Sequence, residues 1–236
     1  MGRATRHLLG EGSVDGELTG GTAILFVIDG GARSALARFA GGDGNCQASE
    51  LVNSGIDNGL ESPDSAAIVL SGRTELSLAY QADEPFWGMS IPAGTSLGHA
   101  GGYDMNTVET DFGTMGGVEL FSTPSRLTIT DPDMTGSQPP SVGRSGMRLS
   151  WTNQANAVIL GFTTVGENGD VLDSIYCGVT SGSDFFSLTL DDLPSLATAA
   201  YTVVEVGNVS NGTGSAGDGI TNDVAAIHWQ IGAVLP

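Results

Sequence analysis

The stretch "GMRLSWTNQANAVILGF", Gly146 to Phe162, sets the reading of the whole chain. Met147, Leu149 and Trp151 alternate with Arg148, Ser150 and Thr152. An extended chain turns successive side chains to opposite faces, so the three apolar residues share one side. A polar turn at Asn153 to Asn156 then leads into a second apolar run. The spacing predicts two neighbouring strands, with Trp151 packed in the core between sheets rather than forming the floor of a ligand site.

Towards the C-terminus the same period continues in "NAVILGFTTV", "VLDSIYCGV", "FFSLTL", "AAYTVVEVGNV" and "VAAIHWQIG". The gaps between them hold turn signals such as "ENGD" and "GTGSAGDG". Short, evenly spaced strands of this kind predict an antiparallel sandwich. "DDLPSL", Asp191 to Leu196, reads as a brief helical turn capped by Asp191 or Asp192.

Towards the N-terminus the runs are less regular. "TAILFVIDGG" suits a buried strand, "SALARFAGGDGNC" alternates roughly before a Gly-rich turn, and "ASELVNSGIDNGLESPDS" is a polar loop. "AAIVLSG", "TELSLAYQ", "FWGMSIPAGTSLGHAGG", "GGVELF" and "SRLTIT" are further strand segments, with Val118, Leu120, Leu127 and Ile129 facing inward. "DPDMTGSQPPS", Asp131 to Ser141, disfavours helix and central strand alike. The boundary falls there. The expected order is a flexible N-terminus over 1–19, a β-rich domain over 20–130, a Pro-rich linker over 131–145 and an immunoglobulin-like sandwich over 146–236.

Composition agrees with an all-β chain: 36 Gly, 15% charged residues and no sustained apolar stripe at helical spacing. At 236 residues the chain is long enough for a true core. The charge is lopsided, with 27 acidic residues against eight Arg and no Lys, a net charge of −19. Such a surface repels phosphate backbones and anionic membranes, so nucleic acid and lipid are poor partners. No stretch has the length of a transmembrane helix.

Residues 146–231 resemble immunoglobulin-like and fibronectin type III sandwiches. Leu149, Ser150, Trp151 and Thr152 carry the resemblance, because such domains place a core Trp on an early strand. The segment order is also similar to secreted or lipoprotein-like proteins of high-GC bacteria such as myxobacteria. There, "RLSWT" leads to "VILGF", to "SIYCGV" and to "FSLTLDDLPSL", with a segment like "STPSRLTITDP" ahead of the module. That likeness runs from about Ser65 onward and implies a fold and an extracytoplasmic address, with no activity attached. The N-terminus, "MGRATRHLLGEGS", lacks an apolar signal core and by itself points to the cytoplasm. The β-rich remainder points to export, which is the expectation adopted.

Cys46 and Cys177 stand 131 positions apart, with no metal-ligand spacing. They are either a disulfide or two buried thiols. An extracytoplasmic location favours the disulfide, which would stabilise the fold by about 5 kcal/mol in the chain-entropy model.

Chemistry is hard to find. A nucleophile–base pair needs His or Lys near Ser or Cys. His7 lies near the terminus, His99 in a Gly-rich turn, and His228 alternates with Ile227 and Trp229, so it is expected to face away from the core. Trp229 is then expected to be buried. "GRSGM" lacks the spacing of a nucleophile elbow, and no Gly-rich stretch carries the Lys of a phosphate loop. Asp43, Asn45, Asp131, Asp133, Glu167, Asp170, Asp218 and Asp223 form oxygen-rich turns without EF-hand spacing. Calcium is the one metal they would suit, though Asp and Asn are ordinary turn residues too. Asn208 and Asn211 stand in N-x-S/T sequons. Phe86 and Trp87 are adjacent in a strand and must face opposite sides, which makes them the candidate ligand contacts.

The expected function is a non-catalytic secreted or surface-exposed structural or binding module, without catalytic residues or cofactor, for a protein or glycan ligand. The alternatives are a glycan- or calcium-dependent adhesion module and a subunit of an extracellular assembly.

Overall fold

In a computed structural model the chain is described over residues 3–14, 17–29, 44–48, 67–81, 86–97, 102–106, 108–110, 113–115, 119–124, 127–134, 138–180, 182–215 and 220–235. The alternating stretch forms β12 (Gly146–Thr152), in which Met147, Leu149 and Trp151 are buried and Arg148 and Thr152 exposed. Trp151 is 1% exposed, and its indole N–H donates to Gln154 Oε1 at 2.9 Å. β12 pairs with β11 (Thr128–Asp131) through Ile129 and Trp151, and with β15 (Phe185–Thr189) through Leu149 and Phe186.

The apolar run after the turn becomes β13 (Ala157–Val165), eight of whose nine positions are buried. It must therefore be covered on both faces. β13 lies between β14 (Val171–Thr180) and β16 (Tyr201–Ser215), and β16 pairs with β17 (Ile220–Val234). Strands β11-β12-β15 thus face β17-β16-β13-β14 in a sandwich-like arrangement of two layers. Met147, Leu149, Trp151 and Leu188 of one layer meet Val158, Leu160, Phe162, Val204 and Val206 of the other.

The sheet does not end at β17. β1 (Arg3–Val14) runs parallel to it from Arg3↔Ile220 to Val14↔Ile231 and pairs antiparallel with β2 (Glu17–Asp29). β1–β17 is the one parallel pair among the described strands. Beyond β2 the sheet continues through β6 (Phe86–Ile91), β5 (Leu76–Gln81), β4 (Ile68–Ser71), β7 (Gly102–Met105) and β10 (Glu119–Ser122). The opposite edge is β3 (Cys46–Ala48), giving a 12-stranded sheet in all. β8 (Val108–Thr110) and β9 (Gly113–Met115) form a separate hairpin. Ala23, Leu25, Ile68, Leu70, Leu76, Leu78, Trp87, Tyr103 and Met105 build a second core, completed by Ala226 of β17.

Several expectations change. Arg3–Val14, read as part of a flexible N-terminus, is a strand between two partners. "GTGSAGDG", read as a turn, is strand up to Ser215. "DDLPSL" does contain a 3-10 turn at Pro194–Ala197, but neither Asp caps it. Asp192 turns back instead, accepting from Thr189 N at 3.0 Å and Thr189 Oγ1 at 2.7 Å. The end of the Pro-rich segment is strapped to β17: Val142 N–H donates to Leu235 O and Leu235 N–H to Pro140 O. "ASELVNSGIDNGLESPDS" after Ala48, nearly all of "SALARFAGGDGNC", Val118 and His99 lie outside the described residues.

β17 carries the largest reversal. Ala226, His228 and Val234 turn towards the two large cores, whereas Ile227 joins a smaller cluster with Ala157, Ile159 and Val209. His228 is 2% exposed, not outward-facing. Both faces of this strand carry side-chain packing, so alternation alone could not tell inside from outside.

Truncating Trp151→Ala removes the largest side chain of the sandwich core and orphans Gln154 Oε1. A loss of about 3–5 kcal/mol is expected in urea denaturation, and a loss below about 1 kcal/mol would contradict this packing.

Candidate functional site

The two residues named as ligand contacts part company. Trp87 is fully buried in the N-terminal core, edge-on to Tyr80 with ring centroids 5.0 Å apart. Phe86 points the other way and is half-buried, its ring leaning over Gly88, where an added Cβ would stand 2.6 Å from it. Only Phe86 is placed to touch a ligand.

Cys46 and Cys177 are disulfide-bonded, as directly opposed residues of β3 and β14 with Cα atoms 4.0 Å apart. Cys177 is buried, and the bridge packs on the sandwich core beside Ile175 and Val179. It ties the short edge strand β3 to the sheet.

Polar residues on the inner face of β1, β16 and β17 are drawn into structure. Ser13 Oγ lies 3.5 Å from His228 Nε2 and donates to Trp229 O at 3.2 Å. This pair resembles a nucleophile and base, but Ser13 is 3% and His228 2% exposed, so neither meets a substrate from solvent. Asn208, also buried, accepts from Ala155 N at 2.9 Å and donates to Asn153 O at 3.1 Å, fixing the turn after β12. Its amide is therefore closed to glycan attachment. The Asn211 side chain lies outside the description. Gln230 Nε2 donates to Leu127 O at 2.9 Å. Among the described residues no three His, Cys, Asp or Glu side chains converge as metal ligands. Asp43 and Asp218 and the side chain of Asp223 lie outside the description, while Asp131, Asp133, Glu167 and Asp170 are exposed.

A different constellation stands on the outer face of β14-β13-β16-β17, and the sequence reading missed it. Tyr176, Glu205 and Trp229 are each half-buried there. Register places Tyr176 and Glu205 on either side of Gly161, and Trp229 opposite Gly207. A Cβ on Gly161 would stand 2.7 Å from Glu205 Oε2 and 2.8 Å from the Tyr176 ring; one on Gly207 would stand 2.8 Å from the Trp229 ring. Each ring lies across the space that the opposing glycine leaves empty, an arrangement that shields glycine backbone in sheets. The rings meet edge to face, centroids 6.4 Å apart, and Tyr176 Oη donates to Glu205 Oε2 at 2.8 Å. Thr163 and Ser174, bonded through their hydroxyls at 2.9 Å, continue the same face. Alternation assigned Trp229 to the core with Ile227 and Ile231; of the three only Ile227 is fully covered. The glycines at mid-strand, Gly161 and Gly207, were the available signal.

Burial holds the Tyr176 phenol well above its usual pKa, and the negative charge of Glu205 and the hydrogen bond to it push the same way. The folded phenol keeps its proton where the unfolded one, near pH 10, loses it. Stability from this group is therefore complete below about pH 10 and falls as pH rises beyond it. Tyr176→Phe is expected to flatten that alkaline loss, measured by urea denaturation across a pH series. An unchanged slope, or the disappearance of a phenol titrating at the ordinary pH, would contradict the assignment.

No protein-family model matches the chain, and no curated protein matches it. Among solved structures it is similar to a tetra-tandem repeat in the extending region of a large adhesion protein, at 12% identity and a TM-score of 0.22, covering 96% of this chain and 49% of that one. It is also similar to dimeric latent PorU from Porphyromonas gingivalis, at 13% identity and a TM-score of 0.22, covering 100% of this chain and 20% of that one. The chain thus spans about half or less of the length of either.

Proposed function

We propose that this chain is a non-catalytic extracytoplasmic module that works by binding or by forming structure. The observation that carries the reading is the Cys46–Cys177 bridge, which joins positions 131 residues apart. Disulfides of this kind persist in oxidising compartments. The placement of Ser13 and His228 inside the fold supports the non-catalytic part, because they are the nearest approach to a nucleophile–base pair among the described residues. The charge of −19 favours neutral or cationic partners over nucleic acid. The test is a broad hydrolase and transferase panel on the purified full chain, together with thiol labelling of the native protein. No turnover and no labelling are expected. Robust turnover abolished by one substitution, or two freely reactive thiols, would overturn the proposal.

A second reading, a subunit of an extracellular assembly, draws on one end of the outer sheet. Val171 is 65% exposed, Tyr201 36% and Leu235 42%. Val171 and Tyr201 flank Val165 across the sheet. Apolar surface gathered in this way marks association sites. Light scattering on a size-exclusion column should then show a multimer that Val171→Glu dissociates; a monomer at all concentrations removes this reading.

A further inference from the structure

We infer that the outer sheet face built by Tyr176, Glu205 and Trp229 is a carbohydrate-binding subsite for an uncharged, hydroxyl-rich sugar residue. The inference rests on the binding-module reading above and names its ligand class. A pyranose ring presents one C–H face of low polarity and a rim of hydroxyls that both donate and accept. A matching surface needs an aromatic ring held still, with an acceptor and a donor at its edge.

This face supplies each part. The Trp229 and Tyr176 rings are seated over Gly207 and Gly161, so their orientation is fixed before any ligand arrives. Fixing it beforehand spares the ordering cost of binding. Glu205 uses Oε2 to accept from Tyr176, and no hydrogen bond to Oε1 is present among the described residues. A carboxylate oxygen is a strong acceptor for a sugar hydroxyl. The Trp229 indole N–H likewise makes no hydrogen bond among the described residues, which leaves a donor beside the ring. Thr163 and Ser174 extend the face with hydroxyls, and Val203 and Ile231 lie half-buried around Glu205.

Charge narrows the ligand further. β13, β14, β16 and β17 contain no Arg, and the chain contains no Lys. A phosphorylated, sulfated or uronic sugar would meet Glu205 with no cation supplied by these four strands to offset the repulsion, whereas a neutral sugar keeps its hydroxyls in contact with the carboxylate.

The three Trp residues make the test selective. Trp87 and Trp151 are 0% and 1% exposed, so Trp229 alone should react with N-bromosuccinimide in the folded protein. The full chain is screened against neutral oligosaccharides of glucose, mannose, xylose, galactose and N-acetylglucosamine, with heparin and polygalacturonate as anionic controls. Binding to at least one neutral series is expected, with slower Trp229 oxidation in its presence and none with the anionic controls. Trp229→Ala and Glu205→Gln are each expected to weaken binding about tenfold or more. Circular dichroism and thermal melts confirm their folding, and Glu205→Gln alone serves if Trp229→Ala does not fold. No neutral sugar bound at millimolar concentration overturns the inference, as does preference for the anionic controls or for a protein ligand at this face. Sugar binding indifferent to both substitutions sinks this site while leaving the binding-module reading intact. Turnover of a bound sugar, by contrast, would remove the non-catalytic reading and leave the site standing.

Discussion

Strands β16 and β17, each 15 residues long, are too long for one core. At about 3.4 Å per residue each spans about 50 Å, well beyond the roughly 17–20 Å of an ordinary strand. The pairing of these two strands with each other, and of β17 with β1, lets one continuous sheet serve two cores. Val204, Val206 and Val234 face the core closed by β11-β12-β15, and Ala226 faces the core built from β2, β4, β5, β6 and β7. Without the parallel β1–β17 contact the sandwich sheet would end at β17, and its backbone groups would form an open edge. The N-terminal β2–β6–β5 array would lose its hydrogen-bonded continuity with it.

Polar side chains collect where the two cores meet. Ser13, His228 and Asn208 are buried on one face, and Gln230 joins them at half-burial. Asn208 and Gln230 reach across to the turn after β12 and to Leu127 at the start of β11. Buried polar groups are tolerated when their hydrogen bonds are satisfied, and a satisfied network fixes a unique arrangement. This seam therefore sets how the covering layer sits on the long sheet, a task for which apolar contact alone is less discriminating. The same commitment takes Ser13 and His228 out of reach of solvent.

The outer face follows another rule. Gly161 and Gly207 leave gaps on a pleated surface, and the rings of Tyr176 and Trp229 fill them from the neighbouring strands. The rings are held without being swallowed. An edge-to-face pair of rings with a carboxylate beside it results from strand register, since a shift of one residue would carry both rings to the inner face. The disulfide at the far edge limits such slippage by pinning β3 to β14.

Much of the sandwich was legible in the sequence. The alternation of Met147, Leu149 and Trp151 fixes β12 and its buried side, because a strand with one covered face must place its apolar residues on that face. The unbroken apolar run of β13 fixes a strand covered on both sides for the same reason. In β17 the residue pattern settles the two-residue period and nothing more. Ala226, His228 and Val234 are as buried as Ile227, so both faces carry packing and no pattern of polarity separates them. Which face met the large cores was decided only by the partners that β16 and β1 bring to either side. The candidate site was hidden by the same ambiguity: Tyr176, Glu205 and Trp229 come from three strands, and only the register of those strands sets them around two glycines.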